Sequence, residues 1–207
     1  MINVYIVRHG ETDTNKDGKI NGASTDLPLN QTGQLQAQAL HESFDMSKIA
    51  RVYSSPMKRA FQTAQIVNDG HCKIEVDERL QEIDYGDWDG LLADQVQAQY
   101  PQAFDDQGYL RDNYSDFCNG ESYQHLSLRL SNFWQDLVTN NRDNSILVVC
   151  HGTVSRSLVQ TVLGIPDISQ VMQVRNAGVI SLAAEEQTGK AFLRYYNRVA
   201  PAEFFLR

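Results

Sequence analysis

Two short apolar runs, far apart in the chain, each lead directly into a histidine. Val4–Val7 is followed by Arg8 and His9, and Ser145–Cys150 is followed by His151. Short apolar runs of this kind are typical of buried strands. If both strands lie parallel in one sheet, their carboxyl ends share an edge, and such sheets bind ligands beyond that edge. The sequence therefore predicts that His9 and His151 lie together there.

The rest of the chain alternates between strand and helix patterns. Helices are predicted at Thr32–Phe44, from Pro56 through Val67, and at Leu91–Tyr100, Ser122–Asn140 and Thr153–Leu163. Further strands are predicted from Val52, at Lys73–Val76, and as a closing pair at Val179–Ala184 and Ala191–Tyr196. Glu11–Leu29 and Leu80–Gly90 are predicted to be loops. This order favours an α/β fold, a three-layer α/β/α sandwich with a mainly parallel central sheet, formed by a single domain over residues 1–207.

Charge and hydropathy exclude several classes of function. The net charge is −8, whereas general nucleic-acid binding usually needs a basic surface. No apolar run approaches the roughly 20 residues that span a membrane. The apolar start, Met1–Val7, has neither a basic leader nor a small-residue cleavage site. We therefore expect a cytoplasmic protein with no nucleic-acid or membrane partner; no oligomeric state is predicted.

The cysteines and the charge also bear on cofactors. Cys72, Cys118 and Cys150 are widely spaced and odd in number, which argues against a disulfide framework and against a zinc cluster. No group of carboxylates, histidines or cysteines has the spacing of metal ligands. We expect no metal and no cofactor. Because the chain is negative overall, an anionic substrate must bind at a local concentration of cations.

Candidate residues exist for each requirement of phosphoryl transfer. Arg8 and Arg59 offer planar forks of donors that match phosphate oxygens. A neutral imidazole at His9 can act as the nucleophile, and His151 can donate a further hydrogen bond. Glu82 can be the acid, since a bound phosphate dianion would raise its pKa. Each of these residues alone has an ordinary structural explanation, so the argument depends on the set.

The ordered set resembles the histidine phosphatase superfamily, also called phosphoglycerate mutase-like. The first block is Arg8-His9-Gly10-Glu11-Thr12 with Asn15, and the second is the run from Ser54 to Ala64 that contains Arg59. The acid-bearing loop is similar at Leu80-Gln81-Glu82 with Gly86, Trp88 and Gly90. Gly120-Glu121-Ser122 and Val148-Val149-Cys150-His151-Gly152 resemble the fourth and fifth blocks. Coincidence of all blocks in family order is a specific signal.

The resemblance implies a role for each matching residue. His9 would be phosphorylated, while Arg8, Arg59 and His151 would hold the phosphoryl group. Glu82 would donate a proton and then activate water. Asn15, Asn21, Gly22 and Gly152 fall where the family contacts its substrate. The implied fold, a phosphoglycerate mutase-like α/β sandwich, agrees with the fold predicted from the strand and helix patterns.

The chain departs from the family pattern at two points. Between Gly22 and Asp26 it is one residue longer than the usual spacing, which weakens the substrate contacts expected of that loop. Cys150 stands where a small hydroxyl residue is common. A thiol beside a catalytic histidine suggests a thiol hydrolase, but an apolar strand end favours an inert buried cysteine.

Three functions remain open on the sequence. The first is a metal-independent phosphatase acting on a small phosphate monoester. The second is a cofactor-dependent phosphoglycerate mutase, disfavoured because the segment between Glu82 and Glu121 is too short for the mutases' insertion. Within it, Leu91–Asn119 is acidic and would make a poor wall for a bisphosphate, since it contains Asp105, Asp106, Asp112 and Asp116. The third is a non-catalytic module that binds a phospho-ligand or a protein. Arg111 is expected to be a solvated surface residue rather than a contact for a second anionic group.

Overall fold

The computed structural model of the chain describes residues 1–142 and 144–200, so residues 143 and 201–207 of the predicted domain lie outside the described residues. The strands are β1 (Ile2–Arg8), β2 (Arg51–Ser54), β3 (Ile74–Val76), β4 (Ser145–Cys150), β5 (Val179–Ala184) and β6 (Ala191–Arg198). The helices are α1 (Asp13–Lys16), α2 (Gln31–Ser43), α3 (Lys58–Asn68), α4 (Ala93–Gln99), α5 (Tyr123–Asn140) and α6 (Gly152–Leu163).

The six strands form one sheet in the order β3-β2-β4-β1-β5-β6. The pairs formed among β1 to β4 are all parallel, and β5 is antiparallel to both β1 and β6. The sheet is therefore mixed, with a parallel part that contains both histidine-bearing strands. The predicted closing pair is confirmed as an antiparallel hairpin.

Alternate residues of the central strands enter two separate cores, one on each face of the sheet. On β4, Val148 and Cys150 pack with the apolar sides of α5 and α6, while Leu147 and Val149 pack with α2 and α3. Both pairs are fully buried, as the period of two in a strand requires when both faces are covered. The predicted three-layer α/β/α architecture is confirmed.

Helix boundaries follow local chemistry and correct some of the predictions. Ser122 caps α5 as predicted, since its hydroxyl accepts the His125 N–H at 3.2 Å. The predicted loop Glu11–Leu29 contains the short helix α1, which a capping box between Thr12 and Asn15 starts. Pro56 lies outside α3, which begins only after Met57. Among the described residues, no helix combines the length and apolarity needed to cross a membrane.

The strand register brings the two histidine-bearing ends level. Arg8 lies opposite Cys150 in the β1–β4 ladder, and the His9 N–H donates to the Cys150 carbonyl at 2.9 Å. The loop after β1 then passes so close to the start of α2 that a Cβ on Gly10 would lie 2.4 Å from the Gly33 carbonyl oxygen. Glycine at both positions permits this approach and fixes the path of the chain beyond His9.

Candidate active site

The side chain of His9 is buried at the end of β1, with 2% of the residue exposed. Its Nδ1 lies 2.6 Å from the carbonyl oxygen of Gly10. Because a carbonyl oxygen only accepts, Nδ1 carries the proton and Nε2 has the free lone pair. Burial, together with the charges of Arg59 and Arg8, holds the pKa of His9 well below its usual range. At neutral pH the imidazole is therefore uncharged, and the lone pair on Nε2 is available for the nucleophilic role predicted from the sequence.

Arg8 is the last residue of β1, and only part of its guanidinium group is hydrogen-bonded. Nη1 donates to the carbonyl of Val174 at 2.6 Å, whereas Nε is buried without a hydrogen-bond partner among the described residues. A Cβ added to Gly152 would lie 3.4 Å from this Nε and 2.0 Å from the amide nitrogen of Gln173. The glycine predicted as a substrate contact thus keeps space beside an unsatisfied donor.

Arg59 is fully buried at the start of α3 and spans several elements. Its Nη1 donates to the Thr25 carbonyl at 2.6 Å, and its Nη2 donates to the Gly22 carbonyl at 3.0 Å. Its Nε donates to Nδ1 of His151 at 3.1 Å. The loop that follows the first block therefore holds a predicted phosphate-binding arginine through backbone oxygens.

The hydrogen bonds of His151 fix its tautomer as well. Since Arg59 can only donate, Nδ1 of His151 accepts, and the proton on Nε2 is donated to the Ser55 hydroxyl at 2.8 Å. Burial and the charge of Arg59 keep the pKa of His151 well below its ordinary value. The two histidine rings are 5.2 Å apart, so the histidines predicted to share the sheet edge are neighbours there.

The carboxylate of Asp89 organises the loop that binds Arg59. It accepts the backbone N–H groups of Gly22, Ser24 and Thr25 at 2.6 to 3.0 Å, and the hydroxyl of Thr25 at 2.8 Å. Four hydrogen bonds to one carboxylate hold this segment, including its extra residue, in a single conformation. Sequence reasoning missed this role, although Asp89 lies between Trp88 and Gly90 of the recognised block.

Glu82 is buried at the start of α6, where its carboxyl group caps the helix. Its carboxyl oxygens accept the N–H groups of Ile83 at 3.0 Å and of Thr153 and Val154 at 3.2 Å. Burial raises the pKa of Glu82, against the opposing effects of Arg59 and these N–H donors. A carboxyl group with a raised pKa at this position can exchange a proton with a group bound beside His9.

The remaining predicted substrate contacts have structural roles in part. Asn15 accepts the Thr12 N–H at 3.2 Å in the capping box, and the amide of Asn21 donates to the Thr12 hydroxyl at 3.1 Å. Gly22 is held by Asp89 and has no room for a side chain, since a Cβ would lie 2.8 Å from Tyr85. Both asparagines nevertheless line the cavity described next.

A cavity of about 300 Å³ opens beside Arg8 and Glu82. Its lining residues are Arg8, Asn15, Lys19, Ile20, Asn21, Glu82, Tyr85, Ala93, Phe104, Gly108, Tyr109, Leu110, Tyr123, Thr153, Arg156 and Gln173. We call it the leaving-group cavity, and we call the group Arg8, His9, Arg59 and His151 the phosphoryl end. The lining contains three cationic side chains and one carboxyl group, so it is locally positive in a negative protein.

One wall of this cavity differs from expectation. The segment after α4 was predicted to be an acidic wall, yet it contributes Phe104, Tyr109 and Leu110, and its aspartates are absent from the lining. Asp105 turns away to cap the N–H groups of Gln107 and Tyr109. Arg111 is exposed and does not line the cavity, as expected of a surface residue.

Cys150 has the properties of an inert core thiol. It is fully buried among Val148 and other apolar residues, and burial raises its pKa well above the ordinary value. A thiol held in its protonated form is a poor nucleophile. Within the ranges that the structure describes, no three histidine, cysteine or acidic side chains are grouped to hold a metal ion.

Known proteins resemble the chain over nearly its whole length. The model of the histidine phosphatase superfamily (branch 1) matches residues 4–198. Phosphoglycerate mutase-like protein 4 of Arabidopsis thaliana is 36% identical over 85% of this chain and 76% of its own length. Phosphoserine phosphatase 1 of Hydrogenobacter thermophilus is 28% identical over 82% of this chain and 80% of its own. The solved structure of a mycobacterial glucosyl-3-phosphoglycerate phosphatase with VO3 superposes with a TM-score of 0.82 at 26% identity, covering 94% of this chain and 98% of that one.

Proposed function

The chain belongs to branch 1 of the histidine phosphatase superfamily, and from that premise we propose that it hydrolyses small phosphate monoesters through a phosphohistidine on His9. The tautomer of His9 carries the proposal. Since Nδ1 donates to the Gly10 carbonyl, the lone pair on Nε2 is available, and burial between two arginines keeps the ring neutral.

In the first step, Nε2 of His9 attacks phosphorus, and the bond between phosphorus and the ester oxygen breaks. The proton of Glu82 passes to that oxygen, which leaves as an alcohol. Arg8 and Arg59 neutralise the charge on the equatorial oxygens, so no metal ion is required for that purpose. His151 supplies a further hydrogen bond to the phosphoryl group through its Nε2–H, which the Ser55 hydroxyl accepts in this structure.

In the second step, the Glu82 carboxylate takes a proton from water. The water oxygen attacks phosphorus while the bond to Nε2 breaks, and the products are inorganic phosphate and neutral His9. The named substrates of two relatives, phosphoserine and glucosyl-3-phosphoglycerate, support small phosphate monoesters as the substrate class. A module that only binds ligands would not need a buried proton donor such as Glu82.

Mutase activity is the second candidate, because one relative is named phosphoglycerate mutase-like. The short segment between Glu82 and Glu121 supports hydrolysis instead, since a mutase must exclude water while its intermediate reorients. The aspartates of that segment do not line the cavity, so its length alone supports hydrolysis over isomerisation.

A panel of metabolite phosphates, assayed for phosphate release with and without a chelator, tests the proposal. We expect release from several small monoesters and no loss of activity in the chelator.

A second assay distinguishes hydrolysis from isomerisation. In it, 3-phosphoglycerate is supplied with and without a bisphosphate primer while free phosphate and 2-phosphoglycerate are followed. Isomerisation that outpaces phosphate release tenfold or more would identify a mutase and overturn the proposal. Activity that is lost in the chelator and restored by one metal would contradict the metal-free mechanism.

A further inference from the structure

The leaving-group cavity contains a buried arginine whose charge is not neutralised by an ion pair. Arg156 is 4% exposed, and no carboxylate of the described residues forms an ion pair with it. The charge of Arg156 contributes to lowering the pKa of Asp167, but that carboxylate is exposed and accepts the Ser169 N–H. A buried charge without a counter-charge is costly, so an arginine kept in this position calls for an explanation.

Arg156 is held rigidly, and part of its donor capacity is unused. Its Nε donates to the Val171 carbonyl at 2.7 Å, and its Nη2 donates to the Ile168 carbonyl at 3.0 Å. The ring of Tyr109 lies 4.6 Å from the centre of the guanidinium. Of the three guanidinium nitrogens of Arg156, only Nη1 has no hydrogen-bond partner among residues 1–142 and 144–200. The Arg156 side chain lines the cavity. Gln173, whose amide nitrogen lies beside Gly152, lines the cavity as well.

The order of groups along α6 relates Arg156 to the reaction. His151, at the helix start, belongs to the phosphoryl end, and the N–H of Thr153 binds the proton donor Glu82. Arg156 follows Thr153 by nearly one helical turn, about 4.5 Å along the axis. Thr153 and Arg156 both line the cavity. A substrate whose ester oxygen lies at Glu82 therefore extends its substituent towards Arg156.

We propose that Arg156, assisted by the amide of Gln173, binds a carboxylate on the substrate, so that the preferred substrates are phosphate monoesters of short hydroxy acids or hydroxy amino acids. The proposal rests on the proposed phosphatase function and specifies its substrate class. A carboxylate fits better than a second phosphate because one free guanidinium nitrogen and one amide suit two planar oxygens. A phosphate dianion requires more donors.

The first test compares two substrates that differ only in the carboxylate, O-phosphoserine and O-phosphoethanolamine. We expect the wild-type protein to prefer phosphoserine by about ten- to hundredfold in kcat/KM, the range for a charged hydrogen bond. Arg156→Met should reduce that ratio towards one, mainly through KM, and Gln173→Leu should reduce it in part. Arg111→Met, an exposed arginine outside the cavity, should leave the ratio unchanged. A wild-type ratio near one overturns the proposal without any variant.

A second test separates this inference from the proposed function. Binding of the same two compounds is measured calorimetrically on His9→Ala protein, in which turnover is not required. We expect phosphoserine to bind at least tenfold more tightly than phosphoethanolamine, and Gln173→Leu in that background to reduce the difference even if Arg156→Met does not fold. Equal binding of the two compounds overturns the role of Arg156. Absence of phosphate release from every monoester, with the binding difference intact, overturns the phosphatase function alone.

Discussion

The phosphoryl end and the leaving-group cavity are built in different ways. Arg8, His9 and His151 stand at the ends of adjacent parallel strands, and backbone carbonyls hold Arg59 beside them. The cavity is walled by residues of connecting segments, among them Tyr109 and Gln173, together with side chains of helices such as Arg156 of α6. The sheet register therefore positions the groups that we propose for the chemistry, whereas the loops and Arg156 of α6 should decide which leaving-group substituent fits.

The two regions also differ in the charge states of their titratable side chains. At the phosphoryl end, both histidines are neutral because burial and arginine charges lower their pKa values. Glu82, at the boundary, has a raised pKa, so it retains its proton to a higher pH than an exposed glutamate does. The cavity beyond it contributes the cation Arg156. Substitutions at the phosphoryl end should therefore affect all substrates alike, and those at the boundary should depend on the leaving group.

The largest effect is expected for His9→Ala. Turnover and phosphoenzyme formation should disappear together for every substrate, by at least about a thousandfold, since the nucleophile is removed. Protein incubated with isotope-labelled substrate is quenched in base, where phosphohistidine survives, and the retained label is counted. His71→Ala, an exposed histidine before β3, is the control and should behave as wild type. Label retained on the His9→Ala protein would mean that the nucleophile lies elsewhere.

The effect of Glu82→Gln on the rate should depend on the leaving group of the substrate. An alkoxide needs a proton as it leaves, whereas a nitrophenolate does not, so alkyl phosphates should slow by about a hundredfold to ten-thousandfold and aryl phosphates far less. Glu78→Gln, at an exposed position four residues earlier, is the control. Equal slowing of both substrate types would exclude Glu82 as the acid.

The pH dependence follows from the same groups. His9 must be neutral and Glu82 protonated, so with alkyl phosphates kcat/KM should fall as pH rises through the raised pKa of Glu82. At low pH the activity should persist until His9 protonates, which its lowered pKa delays. The alkaline decline should be weak with aryl phosphates. A profile that rises through this range with alkyl phosphates would contradict the assignment of acid and nucleophile.

Asp89→Asn should lower activity by disturbing the position of Arg59, without affecting the contacts of the leaving-group cavity. The amide cannot accept all the N–H groups that the carboxylate binds, so the loop should loosen its hold on Arg59. We expect a loss of about ten- to hundredfold, as is typical of residues that orient others, and the same loss for phosphoserine and phosphoethanolamine. Asp87→Asn, two positions earlier and exposed, is the control. A loss confined to phosphoserine would show that Asp89 acts on the cavity instead.

The smallest effect is expected for Cys150→Ser. The thiol faces the core rather than the site, and a serine hydroxyl can replace its weak hydrogen bond to the His151 carbonyl. Activity should stay within about threefold of wild type while the melting temperature falls, because a hydroxyl is less favourable than a thiol in an apolar core. A drop of about a thousandfold with folding intact would support a thiol mechanism.

The sequence alone determined the parts that depend on local patterns. Apolar strands ending in His9 and His151 predict a shared sheet edge, because parallel strands align their ends. The motif blocks then identify Arg8, Arg59 and Glu82 as their partners, and the match over residues 4–198 confirms the family. These conclusions follow from short-range periodicity and spacing, which can be recognised in each segment without knowledge of its contacts with other segments.

Only the tertiary structure decided the contacts between segments. The four hydrogen bonds that the Asp89 carboxylate accepts from the loop at Gly22–Thr25 leave no periodic signal in the sequence. The same holds for Arg156, which is the single charged residue of helix α6 and donates to the carbonyls of Ile168 and Val171. The segment after α4 presents aromatic rings, not its aspartates, to the cavity because burial of rings is favourable whereas burial of carboxylates is costly. Residue type is written in the sequence, but the direction in which a loop side chain points depends on what the rest of the fold places around it.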